Sequence, residues 1–139
     1  MTREDVKKIN SECKNGFEFY LYGYLMRKEK ELSKRINLAD NQYLEARLEW
    51  HEVTERKTNE WGCSWNVKTG EVQPALRLSV WTNKENGMAV SYGLGYTEVA
   101  GSPVKRRSMK RLQDITNNWT TENIVRLYEQ KSGTKLNLA

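Results

Sequence analysis

The spacing of apolar residues near the N-terminus predicts a helix and then a strand. Residues 3–14 repeat apolar side chains at helical intervals, Thr2 can cap this helix, and Asn15-Gly16 ends it. Residues 17–26 are dense in aromatic strand formers and predict a strand, although helical spacing also fits that run. Residues 27–36 then predict a short charged helix that presents its two apolar side chains on one face.

Alternating apolar and charged positions dominate the middle of the chain. Residues 43–55 alternate in this way, so we expect a strand there, while their composition leaves a helix open. Two further strands are predicted at Cys63–Val67 and Val72–Trp81. The Lys68–Glu71 segment between them is interpreted as a hairpin connection, with Gly70 at the position that requires a positive φ.

A turn over residues 83–87 leads into a strand predicted over residues 88–99, which carries an unusual pair of glycines. Gly93 and Gly95 alternate along one face of this strand, whereas the other face is apolar and aromatic. Glycine weakens a strand, so the pair indicates a bulge, a packed helix or the close approach of a ligand or second protomer. Together the strands predict an antiparallel meander.

Two helices are expected at the C-terminal end. Ser102-Pro103 is typical of a helix start and predicts a helix that runs to about Asn117. Thr120 begins the last helix, which ends at Gly133. The sequence therefore predicts a single α+β domain over residues 1–139: an N-terminal helix, an antiparallel β meander and two C-terminal helices.

Composition limits the function classes. The 139 residues contain 23 Lys and Arg against 18 Asp and Glu, a net charge of +5 that suits an anionic partner. No apolar run is long enough for a membrane span or a signal peptide, so we expect no membrane partner and a cytoplasmic protein. Cys13 and Cys63 are expected to be reduced thiols, and a single His leaves no usual zinc set. No metal or other cofactor is expected.

The strongest candidate for ligand binding is the basic run in the predicted helix after Pro103. On that helix Arg106, Arg107 and Lys110 lie away from the apolar stripe, with Arg111 at its margin. Arg107 and Arg111 are four residues apart and would stack on adjacent turns, where two guanidinium groups could clamp one phosphate or pyrophosphate. An ordinary solvated face is the alternative interpretation.

Aromatic side chains flank the basic run along the sequence. Trp81, Tyr92 and Tyr96 could stack on a base next to a phosphate clamp, as nucleotides and single strands require. We expect the three alternating residues of the Trp61–Trp65 run, two Trp and Cys63, to pack in the core instead.

One arrangement of acidic residues suggests an enzyme. Asp40 is followed fifteen residues later by Glu55 and then by Lys57. This pattern is similar to that of metal-dependent nucleases, in which two carboxylates hold Mg²⁺ and a lysine helps to position the attacking water. Three such common residues also match this pattern by chance.

Over roughly residues 60–125 the sequence predicts a strand-rich body followed by a basic helix, with Arg107 and Arg111 four residues apart. This architecture resembles that of phage Thoeris anti-defence proteins of the cyclic ADP-ribose sponge family. This resemblance implies an oligomer that sequesters a nucleotide immune signal without chemistry. It also implies that Arg107 and Arg111 contact the phosphates.

The leading hypothesis is therefore a non-enzymatic, homo-oligomeric protein that binds a phosphate-bearing aromatic ligand, most simply a nucleotide signal. A single-stranded nucleic-acid binder would use the same residues. An interaction module that binds an acidic protein surface would also neutralise the basic run. A magnesium-dependent nuclease is the enzymatic alternative.

Overall fold

A computed structural model describes residues 2–19, 31–99 and 101–139 of the chain. The five strands of these residues form one antiparallel sheet in chain order, with the helices before and after it. The chain is thus α+β, with the predicted N-terminal helix, antiparallel meander and two C-terminal helices. The elements are α1 (Arg3–Glu12), β1 (Glu18–Phe19), β2 (Leu32–Leu38), β3 (Gln42–Thr58), β4 (Ser64–Asn83), β5 (Ala89–Glu98), α2 (Met109–Thr116) and α3 (Thr121–Ser132).

Side chains alternate across the sheet, and one face forms the core with the helices. In β3 the residues Leu44, Ala46 and Leu48 are fully buried, and each lies opposite an apolar residue of β4. Leu112 of α2 and Ile124 of α3 are also fully buried and belong to the same apolar cluster. The molecule therefore has two layers, a sheet and the helices that cover one of its faces.

The start of α1 and both ends of α3 agree with the sequence predictions, and α1 ends at Glu12, two residues before its predicted end. Thr2 and Asp5 form a capping box at the start of α1, with the Thr2 hydroxyl accepting a hydrogen bond from the Asp5 amide at 3.2 Å. Thr120 caps α3 in the same way, and Gly133 ends α3 at a φ of 69°. A left-handed residue of this kind is a common helix end because glycine has no Cβ to clash.

The predicted helix over residues 27–36 is wrong. Leu32–Leu38 is strand β2, in which Leu32, Ile36 and Leu38 are buried on the core face. The backbone of β2 is hydrogen-bonded to β3. Buried and exposed residues alternate along β2, and this pattern suits a strand of the sheet better than a charged helix. Of the strand predicted over residues 17–26, residues 17–19 are described, and Glu18–Phe19 is strand β1. Residues 20–30 of the two predictions lie outside the described ranges.

The strand prediction for residues 43–55 is confirmed, and β3 extends from Gln42 to Thr58. Its first half pairs with β2 and its whole length pairs with β4. Two-sided pairing explains why alternation decided the structure here although the composition favoured a helix.

The predicted hairpin connection at Lys68–Glu71 is wrong, because β4 runs without a turn from Ser64 to Asn83. Glu52 pairs with Val72 and Thr54 pairs with Lys68, so three residues of β4 bulge opposite a single residue of β3. Gly70 does have the predicted positive φ, 82°, but within this bulge.

The turn that joins β3 to β4 lies at residues 59–63 instead. Its centre is held by Asn59, whose side-chain oxygen accepts hydrogen bonds from the amides of Trp61 and Cys63, each at 3.0 Å. Gly62 follows at a φ of 82°, which a residue with a side chain rarely adopts. The Asn59 amide also donates to the Cys63 carbonyl at 2.9 Å, so the turn is closed by several hydrogen bonds.

Beyond the Glu52–Val72 pair, β3 and β4 continue as a two-stranded extension, residues 53–71, which we call the arm. It extends about 20 Å, given the six residues 53–58 of β3 at the usual rise. Within the described ranges, the ladder of the arm joins its two strands only to each other. Most of its side chains are exposed.

Strand β5 has a bulge, one of the explanations that the sequence left open for its glycines. Ser79 pairs with Gly93 and Arg77 pairs with Tyr96, so two residues of β5 lie opposite one residue of β4. A Cβ on Gly93 would come within 3.3 Å of the Ser79 hydroxyl, whereas one on Gly95 would meet open space. Close backbone packing therefore explains Gly93, and the bulge accommodates Gly95.

The helix predicted to begin at Pro103 begins instead at Met109. Val104 forms two backbone hydrogen bonds with Val72 of β4, at 2.8 and 2.9 Å, which a helix at this position would remove. The next three residues are all cations, and their mutual repulsion gives no support to a helical turn. Ser102-Pro103 thus precedes a strand-like contact rather than a helix.

We expect Leu112→Ala to lower the free energy of unfolding by about 2–5 kcal/mol, because it leaves a cavity between α2 and the sheet. Urea denaturation followed by circular dichroism measures this change. Leu138→Ala is the control, since that side chain is 54% exposed. An equal loss in both variants would contradict the assignment of Leu112 to the core.

Candidate functional site

The basic segment, residues 105–111, begins where the chain leaves the edge of the sheet. The Val104–Val72 hydrogen bonds fix the backbone immediately before it. Lys105, Arg106 and Arg107 precede α2, whereas Lys110 and Arg111 lie in its first turn. The sequence placed all five cations on one continuous helix, and that placement is wrong.

The two arginines of the predicted phosphate clamp have separate partners. A terminal nitrogen of Arg107 lies 3.5 Å from a carboxylate oxygen of Glu52 in β3. A terminal nitrogen of Arg111 donates a hydrogen bond to the Ser102 carbonyl at 2.5 Å. Because Arg107 precedes α2, the two side chains do not stack on adjacent turns of one helix. Both side chains instead connect the basic segment to its surroundings.

Glycine is required where Arg111 crosses the chain. Gly101 has a φ of 135°, and a Cβ at this position would collide with the Arg111 guanidinium group. The close approach of this side chain to the backbone therefore depends on glycine.

Three cations of the basic segment remain available to a ligand. Lys105, Arg106 and Lys110 are exposed. Across the part of the chain that the structure describes, none of the three is within ion-pair distance of a carboxylate. Their mutual repulsion is relieved when an anion binds, so this side of the molecule can attract phosphate groups.

An ionic cluster joins the basic segment to the base of the arm. Glu52 accepts from Arg107 on one oxygen and from Lys68 on the other, with the Lys68 contact at 2.8 Å. The hydrogen bond and the charge of Lys68 lower the pKa of the Glu52 carboxyl, and Arg107 adds a smaller effect in the same direction. All three side chains are well exposed, so the cluster contributes little to the stability of the fold. Its main effect is to position the basic segment against the base of the arm.

The structure does not bring Trp81 or Tyr92 to the basic segment. Tyr92 pairs with Val80, eight residues along β4 from Val72, whose partner Val104 immediately precedes the basic segment. Eight residues of strand span roughly 26 Å. Tyr96 lies opposite Arg77, between these two points.

Trp81 lies on the sheet face opposite the helices. Its ring stacks on Tyr43 of β3 with the centroids 6.3 Å apart and the planes 11° from parallel. The Arg35 guanidinium lies 4.7 Å from the centroid of the Tyr43 ring, completing a row of three side chains across neighbouring strands. Trp81 and Tyr92 are neighbours in the sheet but belong to opposite faces, so no single ligand on one face contacts both.

Tyr92 borders a cavity of about 590 Å³ on the helix side of the sheet. The C-terminal tail forms one wall, and a hydrogen bond from the Ala39 amide to the Asn137 carbonyl at 2.8 Å holds that wall in place. Asp40 and Lys135 are the charged residues of the lining, which otherwise combines aliphatic groups with hydroxyl and amide groups. A small polar molecule fits a space of this size.

Two exposed tryptophans lie in the arm, whereas sequence reasoning placed them in the core. Trp61 is 79% exposed and Trp65 is 48% exposed, and Cys63 between them is exposed as a free thiol. The prediction failed because residues 59–63 form the turn. Asn59 followed three residues later by Gly62 was the signal that could have shown this.

The residues of the nuclease-like pattern are far apart. Asp40 lies in the turn between β2 and β3, whereas Glu55 and Lys57 are in the arm. The intervening part of β3 spans roughly 40 Å, so the two carboxylates cannot hold one Mg²⁺. Residues 2–19, 31–99 and 101–139 contain no cluster of three potential metal-ligating His, Cys, Asp or Glu side chains.

The chain matches no known protein family, and no similar curated protein or solved structure was found. No helix within the described ranges has the length and apolar character needed to span a bilayer.

We expect Lys68→Gln to raise the pKa of Glu52 toward its ordinary value of 4.5, and Arg107→Gln to raise it less, because Lys68 is the larger cause of the lowered pKa. The contact stabilises the fold above pH 4.5, and this contribution disappears as the pH falls through the lowered pKa. An NMR titration of the side-chain carboxyl carbon measures both effects. A larger change in Arg107→Gln would contradict the geometry of the cluster.

Proposed function

We propose that this protein is a non-enzymatic binding protein whose ligand carries several phosphate groups, held on the basic segment. The observation that supports this proposal is the exposure of Lys105, Arg106 and Lys110 without an ion-pair partner in the described parts of the chain. Phosphate is the anion that paired lysine and arginine side chains bind best through charge-assisted hydrogen bonds.

The position of the aromatic residues favours an extended ligand over a compact one. A mononucleotide on the basic segment cannot reach Tyr92, which lies roughly 26 Å away along the sheet. A single-stranded nucleic acid can follow the surface and places a phosphate at every nucleotide. Single-stranded nucleic acid is therefore our first candidate.

A nucleotide-like small molecule is the second candidate, supported by the cavity beside Tyr92. The exposed phenol ring offers a surface for a base, and Lys135 offers one cation. Sequestration of a nucleotide signal, which the resemblance to Thoeris anti-defence proteins implies, would use this cavity rather than Arg107 and Arg111.

A homo-oligomer and a cytoplasmic location stay predictions. An acidic protein surface is the competing partner for the basic segment.

The salt dependence of binding separates the two candidates. For a strand that neutralises four or more phosphates, we expect the logarithm of the affinity to fall with the logarithm of the salt concentration with a slope of about −3 or steeper. A single nucleotide should give a slope of only about −1 to −2. Fluorescence anisotropy with labelled oligothymidylate and labelled ATP measures both slopes. Tight ATP binding with a shallow slope and no oligothymidylate binding would favour the second candidate.

Replacing Lys105, Arg106 and Lys110 with Gln should weaken oligothymidylate binding by at least tenfold, since each lost charge-assisted contact contributes about 1.5–3 kcal/mol. Stability should change by less than about 1 kcal/mol, as is usual at surface sites.

The matched control replaces Arg3, Lys7 and Lys8 of α1 with Gln, removing the same net charge from another exposed surface. This variant should bind almost as tightly as the unmodified protein. An equal loss of affinity in both variants would mean that net charge alone attracts the ligand, and the proposed site would be wrong.

A further inference from the structure

The basic segment and the arm form one connected surface. Val104 is hydrogen-bonded to Val72 at the base of the arm, and Glu52 bridges Arg107 to Lys68, the first paired residue of the arm on β4. An anion bound to the basic segment therefore lies next to the side chains of the arm.

The two faces of the arm differ in chemistry. The pairing of Thr54 with Lys68, and of each alternate pair beyond it, places hydroxyl, amide and basic groups on one side, which we call the polar face: Thr54, Arg56, Thr58, Ser64, Asn66 and Lys68. These are side-chain types that contact phosphates and sugars in nucleic-acid complexes. The nearest carboxylate is that of Glu52 at the base of the arm, which pairs with Lys68. The other side, the mixed face, carries Glu55, Lys57, Trp65 and Val67, whose charges cancel.

Trp61 stands in the turn at the tip of the arm, beyond the Thr58–Ser64 pair of the polar face. The Asn59 side chain holds the Trp61 amide, and the Thr58 and Ser64 hydroxyls are within 3.0 Å of each other immediately behind the turn. The indole is 79% exposed, although burying such a ring is favourable. A rigid turn that presents a large ring to solvent is suited to stacking on a partner.

We propose that the polar face of the arm and Trp61 extend the basic segment into a binding surface for single-stranded nucleic acid. Phosphates lie on Lys68 and Arg56, and an unstacked base lies on the Trp61 ring. This inference rests on the proposed function, because it names the ligand that the basic segment binds and adds the contact that distinguishes a nucleic acid from other polyanions.

The composition of the turn favours a nucleic acid over an anionic membrane. A turn that inserts into a bilayer presents several apolar residues, whereas Trp61 stands beside Asn59, Glu60 and Gly62. A flat base needs only one ring, which the turn provides.

The test compares two strands that have the same phosphates but differ in their bases. One probe is a labelled oligothymidylate of about 12 nucleotides, and the other is an abasic phosphodiester strand of equal length. We expect the unmodified protein to bind oligothymidylate on the order of tenfold more tightly than the abasic strand, since stacking depends on the base.

Two tryptophan variants assign this preference. Trp61→Ala should bind the two strands equally, because it removes the ring but keeps the backbone hydrogen bonds of the turn. Trp65→Ala should keep the preference, because Trp65 is on the mixed face. Circular dichroism confirms that both variants are folded. Arg56→Gln should weaken both strands to a similar extent.

The outcomes separate this inference from the proposed function. Equal binding of both strands by the unmodified protein, or a preference that survives Trp61→Ala, would overturn the role of Trp61 while leaving the phosphate site intact. If neither strand binds, the proposed function and this inference both fail. Binding to phosphatidylserine vesicles with a blue shift of tryptophan fluorescence that Trp61→Ala abolishes, in the absence of oligothymidylate binding, would assign the arm to membranes instead.

Discussion

The hydrogen-bonded ladder between β3 and β4 determines where every other described element can pack. It runs from the Gln42–Thr82 pair to the Thr58–Ser64 pair, and its core half holds the leucines on which the helices rest. A strand with a side-chain period of two cannot slip by one residue without exposing all of its core positions. The same register that buries Leu44 and Leu48 therefore also fixes which side chains of the arm share a face.

The bulge at Thr69–Glu71 lies where the ladder passes from core to arm. The Thr69 hydroxyl donates to the Val53 carbonyl at 3.1 Å and accepts from the Glu71 amide at 3.3 Å, so side-chain bonds replace the missing ladder bonds. On one side of this irregularity the sheet is covered by helices, and on the other it is exposed. The basic segment joins the sheet at this same level through Val104 and Val72. The fold thus places the basic segment at the base of the arm.

Local signals in the sequence were sufficient for the elements that depend on local chemistry. Thr2, Thr120 and Gly133 mark helix ends through bonds to their own neighbours, and the order of strands followed from alternation. The sequence predictions failed where pairing with a residue distant in the sequence determined the local structure. Val104 pairs with Val72, which removed the first part of the predicted basic helix and with it the Arg107–Arg111 clamp. Residues 68–71 contain a glycine that is typical of a hairpin turn, but the chain does not reverse there because β4 stays paired with β3 on both sides of these residues. The basic run itself was identified from sequence, whereas the exposure of Trp61 required the true position of the turn.

The arm has a consequence for how copies of this chain behave when they are crowded together. Its two outer edges present backbone amides and carbonyls of the kind that template intermolecular strand pairing. Glu55, Arg56 and Lys57 place three consecutive charges on one edge, and the bulge at Gly70 distorts the other. Charges and irregularities of this kind oppose the stacking of one ribbon on the next. The charges and the bulge of the arm therefore also act against aggregation.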